Sequence, residues 1–273
     1  MTHHILFRPG KMQLAALAES GFDPLSRSCR FMLTEEAHHL FVGETGVGRT
    51  IEATCAAMNK AGITDPYDVE RIRALGVVDL PLLQRKANFH MSVTRDLFGS
   101  EISSNAADAF NSGLKGRFNE AALTGDDHQL HDATYTVTRV VDGKLVDEAV
   151  PALRAINCRL LDDYIADCQG GIDRWNKAIE KAGIDFRMTQ PHKGFNRRIG
   201  EFAKTRISPA GEILSEAQWE AKKGEWLPNE ADGAFIQSLM KPCTAPGQYA
   251  SWIAPPRMGI NGQPGEYEYV KIA

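Results

Sequence analysis

The chain has 273 residues, of which 43% are hydrophobic and 24% are charged, and its formal net charge is -4 at pH 7. This composition is typical of a globular protein and excludes disorder, collagen and fibrous repeats. The acidic balance and the lack of a long basic block argue against nucleic acid as a partner. Five cysteines without a Cys-x-x-Cys pair favour a reducing compartment. Because no apolar run reaches the roughly 18–20 residues of a membrane span, we expect a cytoplasmic protein without membrane contact.

Helical periodicity predicts most of the elements. A helix over residues 11–20 is followed by a long helix that starts at Asp23-Pro24, with Asp23 as its N-cap, and runs to about Lys60 before the stop at Gly62. Short helical segments are centred on residues 69–74 and 80–83. Further helices are predicted over residues 87–98, 102–113, 151–182, 216–226 and 230–240.

The non-helical signals lie in the second half of the chain. Residues 134–150 alternate in polarity on both sides of an Asp142-Gly143 turn, as a β-hairpin requires. Five prolines from Pro242 onward predict an extended tail that wraps the surface. The predicted fold is mainly α: a partial helical bundle with a small β-hairpin insertion and a Pro-rich C-terminal tail. We expect residues 1–125 to form the bundle and residues 126–273 to contain the hairpin, the second long helix and the wrapped tail.

The sharpest motif is Thr-Glu-Glu-Ala-His-His at residues 34–39, which contains the spacing Glu-x-x-His twice, as Glu35 with His38 and as Glu36 with His39. Residues three apart share one side of a helix, so a carboxylate and an imidazole can reach one metal ion together. Rotation about the helix axis places Glu36 inside an apolar stripe and His39 at its border, whereas His38 falls on the far side. The stripe consists of Leu25, Cys29, Met32, Leu33, Leu40, Val47, Ile51 and Met58.

A carboxylate within an apolar stripe is unfavourable unless something neutralises its charge. We therefore predict that Glu36 and His39 bind a metal ion, and solvated or hydrogen-bonded side chains are the alternative. Dinuclear sites in helical bundles use two Glu-x-x-His motifs and two further glutamates. The chain contains no second inward Glu-x-x-His, so its sequence predicts half of such a site.

Other candidate motifs are weaker. His128 and His131 lie in a polar segment that is more typical of a solvated loop than of a metal cluster. The glycines of residues 43–50 lack the strand and the lysine of a phosphate-binding loop, and we expect them to pack helices closely. The basic segment of residues 191–198 contains Lys193, Arg197 and Arg198, which could bind phosphate oxygens or serve as surface charge.

Several segments together resemble one family, the oxygenase component of benzoyl-CoA 2,3-epoxidases. They are Gly10-Lys-Met-Gln-Leu, Ala18-Glu-Ser-Gly-Phe-Asp-Pro, residues 31–44, Glu101-Ile-Ser-Ser-Asn-Ala-Ala, Gly113-Leu-Lys-Gly-Arg-Phe, Pro191-His-Lys-Gly-Phe-Asn-Arg, Trp226-Leu-Pro and Trp252-Ile-Ala-Pro-Pro-Arg. The resemblance implies a ferritin-like di-iron monooxygenase that epoxidises the ring of benzoyl-CoA in aerobic benzoate degradation. NADPH electrons would reach it, for the reduction of O2, through a separate flavin and iron–sulfur reductase.

The resemblance also implies roles for individual residues. Glu36 and His39 would be iron ligands, with Glu36 the catalytic carboxylate that supplies charge between the metals. Lys193, Arg197 and Arg198 are candidates for the coenzyme A phosphates. Family members are much longer, and this chain resembles their C-terminal portion, so half of the metal ligands are missing. We therefore also consider a non-catalytic remnant that only binds acyl-CoA or a partner, and we expect self-association through an exposed apolar helix face.

Overall fold

The structure is a computed structural model that describes the backbone of residues 2–116 and 133–240 and the side chains of residues 9–116 and 133–240. The chain divides into two compact units, residues 1–230 and 231–273. The predicted boundary between residues 125 and 126, the His128 and His131 pair and the proline-rich tail lie outside the described residues, so they stay predictions. Across the described ranges, no helix is both long and apolar enough to cross a membrane.

The fold is mainly α, as the sequence predicts. In chain order the helices of the first unit are α1 (Thr2–Ala18), α2 (Asp23–Ala61), α3 (Val69–Ala74), α4 (Leu80–Asp96), α5 (Ser104–Asn111), α6 (Ile156–Lys181) and α7 (Glu216–Trp226). A 3-10 turn, Ala152–Ala155, leads into α6. Helix α8 (Glu230–Leu239) accounts for most of the described residues of the second unit.

Helix α2 is continuous through its three glycines and ends where predicted. Gly62 follows it in the left-handed conformation, with φ 67°, and its N–H bonds back to the last turn. The predicted N-cap is wrong by one residue, because Phe22 occupies that position and Asp23 is already helical, where its carboxylate pairs with Arg27. A β-carbon built on Gly48 would lie 4.0 Å from a ring carbon of Trp175, whereas one on Gly46 would have open space around it. Of these two glycines, only Gly48 therefore faces a neighbouring helix.

Two other helices differ from prediction at their starts. Helix α1 begins well before residue 11, although Pro9 lies inside it. The segments predicted over residues 80–83 and 87–98 form the single helix α4, because Pro81 fits its first turn and the Asp79 carboxylate caps it, accepting from the Leu82 N–H at 2.8 Å.

The core of the first unit lies between α1, α2, α4 and α6. Helix α1 packs chiefly on α2 and also contacts α4 and α6. The apolar faces of the two long helices supply most of the buried residues, among them Val47, Ile51, Cys55, Met58, Leu160, Leu161, Tyr164, Ile172, Trp175 and Ile179. Each long helix therefore buries one stripe and leaves its opposite face to solvent.

The predicted hairpin is confirmed. Strands β1 (Thr134–Val141) and β2 (Lys144–Pro151) pair antiparallel around Asp142 and Gly143, whose φ angles of 49° and 71° are those of a tight hairpin turn. The hydroxyl of Tyr135 donates to Asp162 on α6 at 2.9 Å and ties the hairpin to the bundle. A second antiparallel pair, β3 (Arg206–Ile207) and β4 (Ile213–Leu214), was not predicted because its strands are only two residues long.

A long segment without helices, between α6 and α7, is held by buried polar side chains. Arg95 of α4 is fully buried and donates to the carbonyls of Pro191 and His192 at 2.9 and 2.8 Å. Arg197 is buried between Asp96 at 2.7 Å and Glu101 at 2.9 Å. These bonds replace the regular backbone ladder that a loop lacks.

Gly200 gives a direct test of this network. Its φ is 83°, and a β-carbon there would lie 2.0 Å from the Glu101 carboxylate, which also accepts the Glu201 N–H at 2.9 Å. We expect Gly200→Ala to lower the free energy of unfolding by about 2–4 kcal/mol, through backbone strain and the displaced carboxylate. Gly46→Ala, in a helix with open space around it, should instead be neutral or stabilising. Urea unfolding of both variants measures the difference, and equal values would refute this account of the loop.

Candidate metal-binding site

The inward-facing pair of the double Glu-x-x-His motif is Glu36 with His39. The Glu36 side chain is 12% exposed and that of His39 is 40% exposed, and the His39 Nδ1 lies 3.8 Å from the Glu36 Oε1. Glu35 and His38 are both exposed on the other side of α2. The orientation predicted from helix rotation is therefore confirmed, whereas metal binding itself stays a prediction.

Helix α1 forms the wall against which the Glu36 carboxylate lies. A β-carbon built on Gly10 would be 3.4 Å from the carboxylate carbon and from Oε2, and 3.5 Å from Oε1. Oε2 is buried and has no hydrogen-bond partner among the described residues. A buried carboxylate oxygen without a donor costs free energy in the metal-free chain. The site thus holds an acceptor that a cation would satisfy.

The apolar stripe around this pair is only partly covered. Cys29, Val47, Ile51 and Met58 are buried as predicted, but the prediction is wrong for Met32, whose exposed fraction is 48%. On neighbouring faces of α2, Phe31, Phe41 and Val42 are 74%, 68% and 51% exposed. Apart from Cys29, the buried residues of the stripe lie in the C-terminal half of α2, and α6 also packs on this helix. Self-association through the open half stays a prediction.

The donor set fits part of a metal coordination shell. A carboxylate oxygen and an imidazole nitrogen suit iron, manganese or zinc. Among the residues that the structure describes, no group of three or more His, Cys, Asp or Glu side chains converges on one point. Glu36 and His39 therefore supply two ligands at most, and the other ligands of any dinuclear centre must come from elsewhere.

The three basic candidates lie in different environments. Lys193 faces Asp162 at 3.7 Å and is partly exposed. The Arg197 side chain is fully buried between two carboxylates, so it has no open face for a phosphate and its predicted ligand role is replaced by a structural one. Arg198 is exposed, and only its backbone N–H bonds to Asp96, at 3.1 Å. The structure thus leaves Lys193 and Arg198 as accessible cations of this segment.

Sequence reasoning missed the buried ionic groups beside this segment. Asp96, Glu101 and Arg95 carry no motif, and their only signal is a charged residue at an inward position of a helix or a turn. A second polar cluster joins Tyr135, Lys193 and Cys158 around Asp162. Burial, reinforced by the Asp162 charge, raises the pKa of the Cys158 thiol to about 12. This thiol is therefore protonated at neutral pH and is not a nucleophile.

Comparisons with known proteins show what the whole chain is similar to. No family model matches the chain. Benzoyl-CoA oxygenase component B of Aromatoleum evansii is 55% identical to it over 265 residues, which cover 97% of this chain and 55% of that protein. The chain thus spans about half the length of this curated relative. The similarity to a benzoyl-CoA oxygenase component is confirmed over nearly the whole chain, but the match does not bear out the C-terminal placement, which stays a prediction.

The effect of the Glu36 carboxylate on the free energy of unfolding can be measured by substitution. We expect Glu36→Met to raise the free energy of unfolding of the metal-free chain by about 1 kcal/mol, because it removes a buried acceptor without a donor. Glu35→Met on the exposed face should change that free energy by less than about 0.5 kcal/mol, and methionine and glutamate have similar helix propensities. Guanidinium unfolding in the presence of a chelator gives both values. A destabilised Glu36→Met variant would show that the carboxylate has a structural partner.

The neighbouring residues Arg197 and Arg198 should differ clearly in how much each contributes to the free energy of folding. Arg197→Met leaves the carboxylates of Asp96 and Glu101 without their shared cation, and we expect it to cost about 3–5 kcal/mol of folding free energy. Arg198→Met removes an exposed side chain and should cost less than about 0.5 kcal/mol. Thermal unfolding of the two variants at equal ionic strength tests this. Similar losses would mean that Arg197 is not the anchor of this segment.

Proposed function

We propose that this chain is the oxygenase component, or a part of it, of an enzyme that epoxidises the ring of benzoyl-CoA. The observation that carries the proposal is the Glu36 carboxylate, whose Oε2 is buried without a donor among the described residues and which has His39 one turn away. The similarity to a protein named benzoyl-CoA oxygenase component B supports the same reaction class and substrate. The proposed enzyme is an NADPH-dependent di-iron monooxygenase with a ferritin-like bundle.

The residues of this chain would prepare the site rather than carry out the redox chemistry. Two bound irons would supply the electrons that split O2, so that one oxygen atom enters the ring and the other leaves as water. The Glu36 carboxylate would supply negative charge to the dinuclear centre, and His39 would donate a ring nitrogen to one metal. The buried side of α2, packed on α1, restricts the access of water to the carboxylate.

The substrate and the electron donor define the partners. Coenzyme A carries phosphates, and the accessible cations Lys193 and Arg198 could pair with them. The relative's designation "component B" implies a system of several components, which agrees with a separate flavin and iron–sulfur reductase that draws electrons from NADPH. We propose benzoyl-CoA and this reductase as the partners of the oxygenase.

One observation favours a second candidate function. The described residues hold no group of three metal ligands. A chain that lacks the remaining ligands would be a non-catalytic remnant. It would act only as a helical module that binds acyl-CoA or another protein.

Oxygen transfer distinguishes the two candidates. The chain, loaded anaerobically with ferrous iron, is mixed with benzoyl-CoA, NADPH, the reductase and ¹⁸O2. We expect about two irons per chain where the dinuclear site is complete and one labelled oxygen atom in the acyl-CoA product. Mass spectrometry reports the label, and elemental analysis reports the iron.

The matched control comes from the same helix. Glu36→Ala with His39→Ala should abolish both iron loading and labelling, whereas Glu35→Ala with His38→Ala alters the same motif on the exposed face and should leave both intact. Equal losses in the two double variants would contradict the ligand assignment. Binding of benzoyl-CoA without iron or label in the unsubstituted chain would establish the remnant instead.

A further inference from the structure

Helix α1 contains a proline and a glycine where a helix tolerates them poorly. Pro9 and Gly10 both lie inside Thr2–Ala18. Proline lacks the N–H that a helix interior uses, and glycine gains the most backbone entropy on unfolding. The next eight residues, Lys-Met-Gln-Leu-Ala-Ala-Leu-Ala, are strong helix formers. Such breaks of local rules are expected at functional sites.

This break lies opposite the Glu36 carboxylate. Gly10 is half-buried on α1, and all three carboxylate atoms of Glu36 lie within 3.5 Å of the point where its β-carbon would be. A β-carbon there would already be in van der Waals contact with the carboxylate, so we expect a larger side chain to crowd it. Because α1 packs chiefly on α2, we expect a side chain added at residue 10 to push the carboxylate away from α1.

We infer that Gly10 is a positioning residue for the Glu36 carboxylate. The gap in the side-chain surface of α1 leaves room for the carboxylate beside residue 10, with Oε2 buried and Oε1 3.8 Å from the His39 Nδ1. The packing part of this inference depends only on the geometry. Its relevance to metal binding rests on the proposed function.

The substitution that tests the gap is Gly10→Val. Alanine would place its methyl at ordinary contact distance, whereas the branched side chain of valine extends further and must displace the carboxylate. Gly46→Val is the matched control, because it introduces the same residue in an α2 position with nothing within 4 Å. The difference between the two variants therefore removes the general effect of valine in a helix.

The first measurement is a double-mutant cycle on thermal unfolding of the metal-free full chain. We expect Gly10→Val to lower Tm by at least about 4 °C more than Gly46→Val does. In the Glu36→Ala background, where the carboxylate is absent, Gly10→Val should cost no more than Gly46→Val. A general packing defect at residue 10 would not depend on Glu36.

The second measurement is a Co²⁺ titration of the same proteins, followed by visible absorption. Gly10→Val should weaken Co²⁺ binding about tenfold or more, and Gly46→Val should leave it unchanged within about twofold. Unchanged Co²⁺ affinity in Gly10→Val, or a Tm loss that is the same with and without Glu36, would overturn the inference. Coupling between residues 10 and 36 in a chain that binds no Co²⁺ would support the packing inference and count against the proposed metal site.

Discussion

The candidate site depends on one feature of the packing, the position of the Glu36 carboxylate beside Gly10 of α1. A helix pair usually buries apolar side chains, and a carboxylate between two helices loses hydration that only a donor or a cation can replace. Here the helices approach so that the carboxylate fits, yet one of its oxygens has no donor among the described residues. The packing of the bundle thus maintains a group that is unfavourable in the absence of a ligand, which is the usual relation between stability and function at a site.

The buried carboxylate of Glu101 differs from that of Glu36 in its hydrogen-bond partners. Glu101 is also buried, but the Arg197 guanidinium and the Glu201 N–H satisfy its oxygens. The Asp96 carboxylate accepts hydrogen bonds from the same guanidinium and from the backbone N–H groups of Arg198 and Ile199. These ion pairs fix a long segment without helices to α4. The carboxylates of Asp96 and Glu101 thus have donors nearby, whereas Oε2 of Glu36 has none among the described residues.

The sequence predicted those features that depend on local periodicity. The 3.6-residue repeat was sufficient to place α2 and α6 and to choose Glu36 over Glu35, because α2 is continuous and its inward side is set by Val47, Ile51 and Met58. The hairpin was predictable from Asp142-Gly143, since few other residue pairs adopt that turn. In each case neighbouring residues determine the conformation.

Features that depend on distant residues could not be predicted in this way. The start of α1 was missed because Pro9-Gly10 indicates a break, which tertiary packing overrides. Arg197 was predicted to bind coenzyme A phosphates or to serve as surface charge, because its partners, Asp96 and Glu101, are about a hundred residues away in the sequence. The gap at Gly10 is likewise apparent only once α1 and α2 are packed together. Pairing across the chain, rather than local propensity, decided these positions.

The most direct test of the central claim is anomalous diffraction at the iron edge from crystals of the protein grown with ferrous iron. The account predicts a peak within bonding distance of both the Glu36 carboxylate and a ring nitrogen of His39, on the α1 side of α2. Iron bound only at other residues, with the Glu36 carboxylate hydrogen-bonded to protein or open to solvent, would contradict it.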